Sequence, residues 1–206
     1  MNKTTFLCGL ALAFAGSILG QTAPSAATQI RVKRMKVEVA AQMTPNIQAQ
    51  YVTEKRWKPK TWIEVDTSFD VDLARSIGGD SASYGGLEFQ YYLATSGRNT
   101  EGKVIVLAGT IAYTNIPAGE NRALAYVSPA TLKGALQKEN GGKNDIIAHA
   151  VIINAGSEML QFDSTQPGKW WEDTAKFEVR QSSIVSKSKT PFSVLWGDYD
   201  VQGESK

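Results

Sequence analysis

Five tryptophans, one histidine and an alternating row of carboxylates are the residues of this chain whose types and spacing invite chemistry. Aromatic faces stack on sugars and anchor protein interfaces. The adjacent pair Trp170-Trp171 follows a Pro-Gly turn in QPGKWWED. Neighbours in an extended chain point to opposite faces. At most one of the pair therefore fits a core easily, and the other is expected at the surface or under a loop or partner. Trp62 falls on the acidic side of an alternating run, and Tyr91-Tyr92 raises the same question as the tryptophan pair. Trp57 and Trp196 complete the set. Trp170, Trp171, Trp62 and Tyr92 are thus the candidate contacts for a partner or glycan. The competing reading is that loops or the carboxyl end of the chain cover them.

The remaining reactive residues argue against catalysis. His149 is the only histidine and sits among alanines and isoleucines in DIIAHAVIINA. Zinc and copper sites recruit several His or Cys ligands, and Ser-His-Asp or Cys-His mechanisms need a nucleophile beside the imidazole. His149 reads as a packed or edge strand residue. Gly141-Gly142-Lys143 resembles the end of a phosphate loop, but Gln137 occupies the required upstream glycine position and Asn144 follows the lysine. Ser186 and Lys189 match S-x-x-K inside a Ser/Lys-rich loop, without the accompanying motifs. Glu64, Asp66, Asp70 and Asp72 carry oxygen ligands suited to calcium, yet alternate strand residues stand about 7 Å apart, whereas calcium loops are tight. A solvated acidic face is expected, paired electrostatically with the basic strand Arg31, Lys33, Arg34 and Lys36. A carboxylate-dependent glycosidase needs two carboxyls about 5–9.5 Å apart in a cleft, and nothing selects such a pair. No enzyme activity, cofactor or metal is expected.

The elements that position these residues are mostly strands. From Thr61 to Leu73 the residues Ile63, Val65, Thr67, Phe69, Val71 and Leu73 alternate with Trp62, Glu64, Asp66, Ser68, Asp70 and Asp72. That period of two marks a half-buried strand. Leu87 to Thr95 repeats it, and Lys103 to Tyr113 is apolar on both faces, as a central strand is. Ser96 to Gly102 fits a hairpin between them. IPAGE (Ile116 to Glu120) predicts a second hairpin loop, leading to a strand over Arg122 to Val127. Ser128-Pro129 signals a helix start, and Leu132, Ala135 and Leu136 recur at helical spacing before Asn140-Gly141-Gly142. One short helix over about 129–139 follows. Strands are expected at Gln29 to Met43, Asp145 to Ala155, Glu158 to Phe162, Phe177 to Val185 and Phe192 to Val201, about nine in all. The fold class is all-β, a sandwich in preference to a barrel, over 29–206.

The amino terminus sets the compartment. Lys3 precedes the 14-residue apolar run Phe6 to Leu19 and the small residue Gly20, the layout of a cleaved secretory signal peptide over 1–20. A spanning helix needs roughly 20 apolar residues, so no membrane span is expected after cleavage. Ala27 is a second possible cut. Residues 21–28 (QTAPSAAT) read as a flexible lead-in. The single cysteine, Cys8, lies inside the apolar run and leaves with it, so no disulfide is available. The chain carries a formal charge of +2, and loss of Lys3 lowers it by one. Such near-neutrality offers no electrostatic case for nucleic acid or an anionic membrane.

QPGKWWED, KTPFSVLWGDYD and KTWIEVDTSFDV, together with the leader, resemble a family of secreted immunoglobulin-like proteins from Verrucomicrobia-type bacteria. Members are encoded beside type IV pilus genes, and their sandwich is related to the globular part of archaeal type IV pilins. The markers are Lys169-Trp170-Trp171 and Pro191-Phe192 with Asp198-Tyr199 following. The resemblance implies an immunoglobulin-like β-sandwich and a role at the cell surface or on pili, with cell-surface or pilus proteins as partners, and carries over no catalytic residue. A filament-building pilin keeps a long apolar helix after processing. The short leader here implies an exported accessory instead: periplasmic, on the outer surface, or secreted. The alternative is a carbohydrate-binding module working through exposed tryptophans.

Overall fold

The computed structural model describes residues 26–46 and 58–205. The expected signal peptide, most of the lead-in and Trp57 lie outside the described residues. The end of the lead-in forms one helical turn, α1 (Ala26–Gln29), with Ala26 packed on the core.

Two sheets face each other. The first has the order β1 (Ile30–Met43), β2 (Thr61–Leu73), β5 (Gly119–Val127), β9 (Val185–Ser186). The second has the order β10 (Gly203–Ser205), β4 (Val104–Pro117), β3 (Ser83–Arg98), β6 (Ile146–Ala155), β7 (Glu158–Ser164), and β8 (Phe177–Arg180) runs parallel to β4. This is an all-β sandwich with one short helix, α2 (Pro129–Leu136). The alternation read in β2 is the burial observed: Ile63, Val65, Thr67, Phe69, Val71 and Leu73 are all buried. They meet Leu87, Phe89, Tyr91 and Leu93 of β3 across the sandwich. Burying the Tyr91 and Tyr113 phenols would strand their hydroxyls, so the two bond each other at 3.0 Å. Tyr113 then donates to the Leu124 carbonyl at 2.9 Å, linking the sheets. Burial pushes both phenols above their ordinary range.

The basic and acidic strands pair as expected. β1 and β2 are antiparallel with Arg31 opposite Asp72 and Lys33 opposite Asp70. Lys33 pairs with Asp72, and Arg34 reaches Asp70 at 2.6 Å. A bulge between Lys33 and Met35 puts Arg34 in the left-handed region (φ 38°).

Four expectations are corrected. IPAGE is not a hairpin loop: β4 and β5 lie in different sheets, and the chain turns a corner through Ala118. Asn121 Nδ2 holds that corner, donating to the Pro117 and Gly119 carbonyls at 2.9 Å each. The helix stops at Leu136 rather than 139, because Gln137 turns left-handed (φ 52°) and caps it by donating to the Lys133 carbonyl. The strand expected over Phe177 to Val185 is split into β8 and β9 by a crossing that runs over Gly109. A Cβ there would lie 2.6 Å from the Ile184 carbonyl oxygen, so only glycine admits the crossing. Phe192 to Val201 forms turns rather than a strand, and β10 comes later, at Gly203.

Asp145, between α2 and β6, supplies a pH test of this corner. Its carboxylate accepts from Lys138 Nζ (2.6 Å), Gly142 N (2.9 Å) and Ser96 Oγ (3.0 Å). Burial raises its pKa, but these bonds outweigh it and hold the carboxyl below its ordinary value. A depressed native pKa contributes stability above the unfolded value and loses it as pH falls through the native one. Asp145→Asn is expected to lower the urea midpoint at neutral pH, and the gap to the parent should close as pH falls through the depressed native value.

Candidate functional site

Both outer faces of the sandwich are covered by the chain's own aromatics. On the second sheet, Ala94, Ala148 and Ala150 leave a shallow bed where larger side chains would project. The segment after β7 drops into it as a 3-10 turn, Trp170–Glu172. In a 3-10 turn consecutive side chains are about 120° apart rather than opposite, so both indoles reach the bed. The pair does not divide between core and surface as an extended chain would require. Of the two outcomes expected for the second indole, exposed or covered, it is covered, with Trp170 9% exposed and Trp171 5%. Trp171 stacks on Tyr92 with ring centres 4.2 Å apart, at 13°. Trp170 meets Trp171 edge-on at 5.5 Å and Phe177 at 5.2 Å. Trp170 Nε1 donates to Ser164 Oγ at 3.0 Å, satisfying the one polar atom burial would strand. Tyr92 is half-buried beneath Trp171, and burial raises its phenol.

His149 lies on β6, half-buried, with Nε2 3.5 Å from an Asp163 carboxylate oxygen. Its backbone N–H and carbonyl are engaged by Thr165. Among the described residues no three His, Cys, Asp or Glu side chains converge as a metal site, and no helix is long and apolar enough to cross a membrane.

The outer face of the first sheet is covered by the carboxyl-terminal segment. Phe192 is buried against Tyr126, with centres 4.9 Å apart at 10°, and Trp62 meets it edge-on at 5.9 Å. Trp62 is thus half-buried, a side wall of this cluster. The cover also takes in part of the acidic row. Glu64 is buried and accepts from Tyr126 Oη at 2.6 Å and Gln42 Nε2 at 3.1 Å. Asp66 accepts from Arg122 Nη1 at 2.8 Å and Tyr199 Oη at 2.7 Å. Only the far half, Asp70 and Asp72, keeps to the solvated face that alternation predicts. Burial, and donation to Glu64, push the Tyr126 phenol far above its ordinary value, which keeps it a donor.

Lys187 is the residue least expected here. It is buried, and Nζ donates to Asp200 at 2.5 Å and to the Trp196 carbonyl at 2.9 Å, tying down the middle and the far end of the covering segment. Burial raises the Asp200 carboxyl, and Lys187 partly offsets it. Beside this tie runs an open groove of about 560 Å³, lined by Thr114, Glu120, Arg122, Asp198 and Tyr199 among others. On the cover's outer surface Val194 is 72% exposed, Trp196 49% and Tyr199 44%. Trp196 keeps one ring face parallel to Phe192 at 6.4 Å and 11°. Sequence reasoning did not single out Lys187, Asp200 or Val194. The available signal was Pro191 and Gly197 within an otherwise strand-like run, since both are poorly tolerated in a strand interior.

A family model matches residues 23–206, nearly the whole chain. A crystal structure from Akkermansia muciniphila is similar with a TM-score of 0.72 and 24% identity, covering 84% of this chain and 94% of that one. At that identity the likeness establishes the fold. No curated protein matches the chain significantly.

Proposed function

The chain belongs to the family whose model spans residues 23–206, and on that premise we propose that it is a non-enzymatic, exported interaction protein of the cell surface, an accessory of type IV pili. The exposed row Val194, Trp196 and Tyr199 carries this reading. They are exposed apolar and aromatic side chains of one short segment, and such side chains are the composition of a protein interface core. They ride on a segment anchored from beneath by Phe192 and the Lys187–Asp200 pair, and such preorganisation lowers the entropic cost of binding. The resemblance in KWW and the PF…DY segment supplies the pilus context and the immunoglobulin-like kinship, and the apolar leader Phe6 to Leu19 supplies the export.

The test is co-sedimentation of the purified chain with sheared pili from the same bacterium. Saturable binding is expected, weakened several-fold by Val194→Asp with no change in thermal midpoint, since Val194 supports nothing beneath it. Background-level sedimentation at saturating pili would overturn the proposal.

A carbohydrate-binding module is the second reading, and the posture of Trp196 favours it: one ring face rests on Phe192 while the residue is half exposed. Trp171 stacks on Tyr92 and meets Trp170 edge-on, and both indoles are buried, so this cluster offers sugars less. Quenching of tryptophan fluorescence by mucin-type glycans, abolished in Trp196→Ala, would support this reading, and an unchanged spectrum would dismiss it.

A further inference from the structure

β1 ends the first sheet, bonded to β2 and to no other strand among the described residues. Which of its backbone groups face outward follows from the ladder. Thr44 N donates to the Lys60 carbonyl at 2.9 Å, one step beyond the Met43–Thr61 pair. Hydrogen-bonded and non-bonded pairs alternate along an antiparallel ladder. Residues 36, 38, 40, 42 and 44 therefore bond β2, and Met35, Val37, Val39 and Ala41 turn their N–H and C=O groups to the open edge. Beyond Met35 the bulge at Arg34 breaks the regular edge. The available stretch is thus 35–43.

The side chains of this stretch are incompletely covered. Ile30 and Val32 of the same strand are buried, whereas Met35, Val37 and Val39, also packed on the core, are only half-buried. Between β1 and the start of β6 the wall of the sandwich opens into a groove of about 900 Å³, lined on one side by residues 37–40. On the outer face, Lys36 and Glu38 stand next to each other and form an ion pair.

We propose that two copies of this chain associate edge to edge through β1, antiparallel about a two-fold axis at Val37, joining their four-stranded sheets into one. Charge selects both the occupant and the register. A two-fold axis at Val37 sets Met35 against Val39 of the second copy as a hydrogen-bonded pair. It also sets Lys36 against Glu38 as a non-bonded pair, in which side chains approach most closely. An axis at Lys36 or at Glu38 would place like charges opposite each other. An axis at Val39 removes the clash but leaves Lys36 facing Gln42 and Glu38 facing Ala40. Edge lysines deter promiscuous pairing; here the adjacent glutamate converts that deterrent into selection for a second copy. Association also covers the half-buried Met35, Val37 and Val39 with the same residues of the partner. The inference does not depend on the proposed pilus role.

Sedimentation velocity from low to high micromolar concentration tests it. The parent chain is expected to pass from monomer to dimer. Lys36→Glu and Glu38→Lys each put like charges opposite at both symmetry-related positions, and each should weaken the dimer about tenfold or more. An equimolar mixture of the two variants should dimerise again, because one chain then presents two acidic side chains to two basic ones. The double reversal K36E/E38K should also restore the dimer. Thermal midpoints of all variants separate pairing from folding. A chain that stays monomeric throughout overturns the proposal, as does a dimer indifferent to the single reversals or a mixture no tighter than its components.

Discussion

Trp171→Ala should destabilise the fold by about 3–5 kcal/mol, the cost of emptying a large aromatic site in a core. The bed beneath the indole is too small to fill the space. Ala94, Ala148 and Ala150 form the bed, and the backbone beneath them is held in the central ladder of β3 and β6. Tyr92 loses its 4.2 Å stacking partner and Trp170 its edge contact at the same time. Against a typical total of about 5–15 kcal/mol, the variant should unfold at much lower urea with an unchanged m-value. Trp62→Ala removes only the half-buried edge contact to Phe192 and should cost clearly less. A glycan-binding role for Trp171 predicts the opposite: normal stability and lost sugar binding. A urea midpoint for Trp171→Ala within error of the parent would falsify the structural assignment.

Features that depend on local period and charge were legible in the sequence. The buried face of β2, the buried face of β3, the Ser96–Gly102 hairpin and the β1–β2 charge pairing all follow from alternation and from opposite signs on facing strands. Features set by contacts distant in sequence were not. Phe192, Val194 and Trp196 alternate as a strand does, yet the partner of Phe192 is Tyr126, and Trp196 takes a left-handed conformation (φ 53°) so that its carbonyl can meet Lys187. The link between β4 and β5 has the length and glycine of a hairpin; only Asn121, folding back on Pro117 and Gly119, makes it a corner between sheets. Trp170-Trp171 was misplaced because its face assignment presumed extended backbone where a 3-10 turn forms. The burial of Trp170 and Trp171 depends on Ala94, Ala148 and Ala150, which are far away in the chain. The exposed row on the terminal segment became visible only once Phe192 was seen to anchor it.

Lys187→Ala should cost about 3–5 kcal/mol, because it leaves the Asp200 carboxylate buried without its cation. The ammonium is also the donor to the Trp196 carbonyl, so its loss strands two acceptors under one cover. Asp200 already sits above its ordinary pKa through burial, with Lys187 opposing that shift. Removing Lys187 should therefore raise it further, and the variant should take up a proton at Asp200 to relieve the buried charge. The sign follows: a carboxyl raised in the native state binds its proton more tightly folded than unfolded, so stability falls as pH rises through the interval between the two values. Lys187→Ala should accordingly lose more stability at pH 7 than at the acid end of that interval, whereas in the parent Lys187 opposes the shift and makes the same dependence shallower. Lys187→Met with Asp200→Leu removes both charges and keeps the volume, and should recover most of the loss, since a buried pair is often no more stabilising than packed apolar groups. Urea midpoints of the single and double variants at two pH values decide the matter. A double variant as unstable as the single one would mean that the Lys187–Trp196 bond, rather than the charge pair, holds the cover in place.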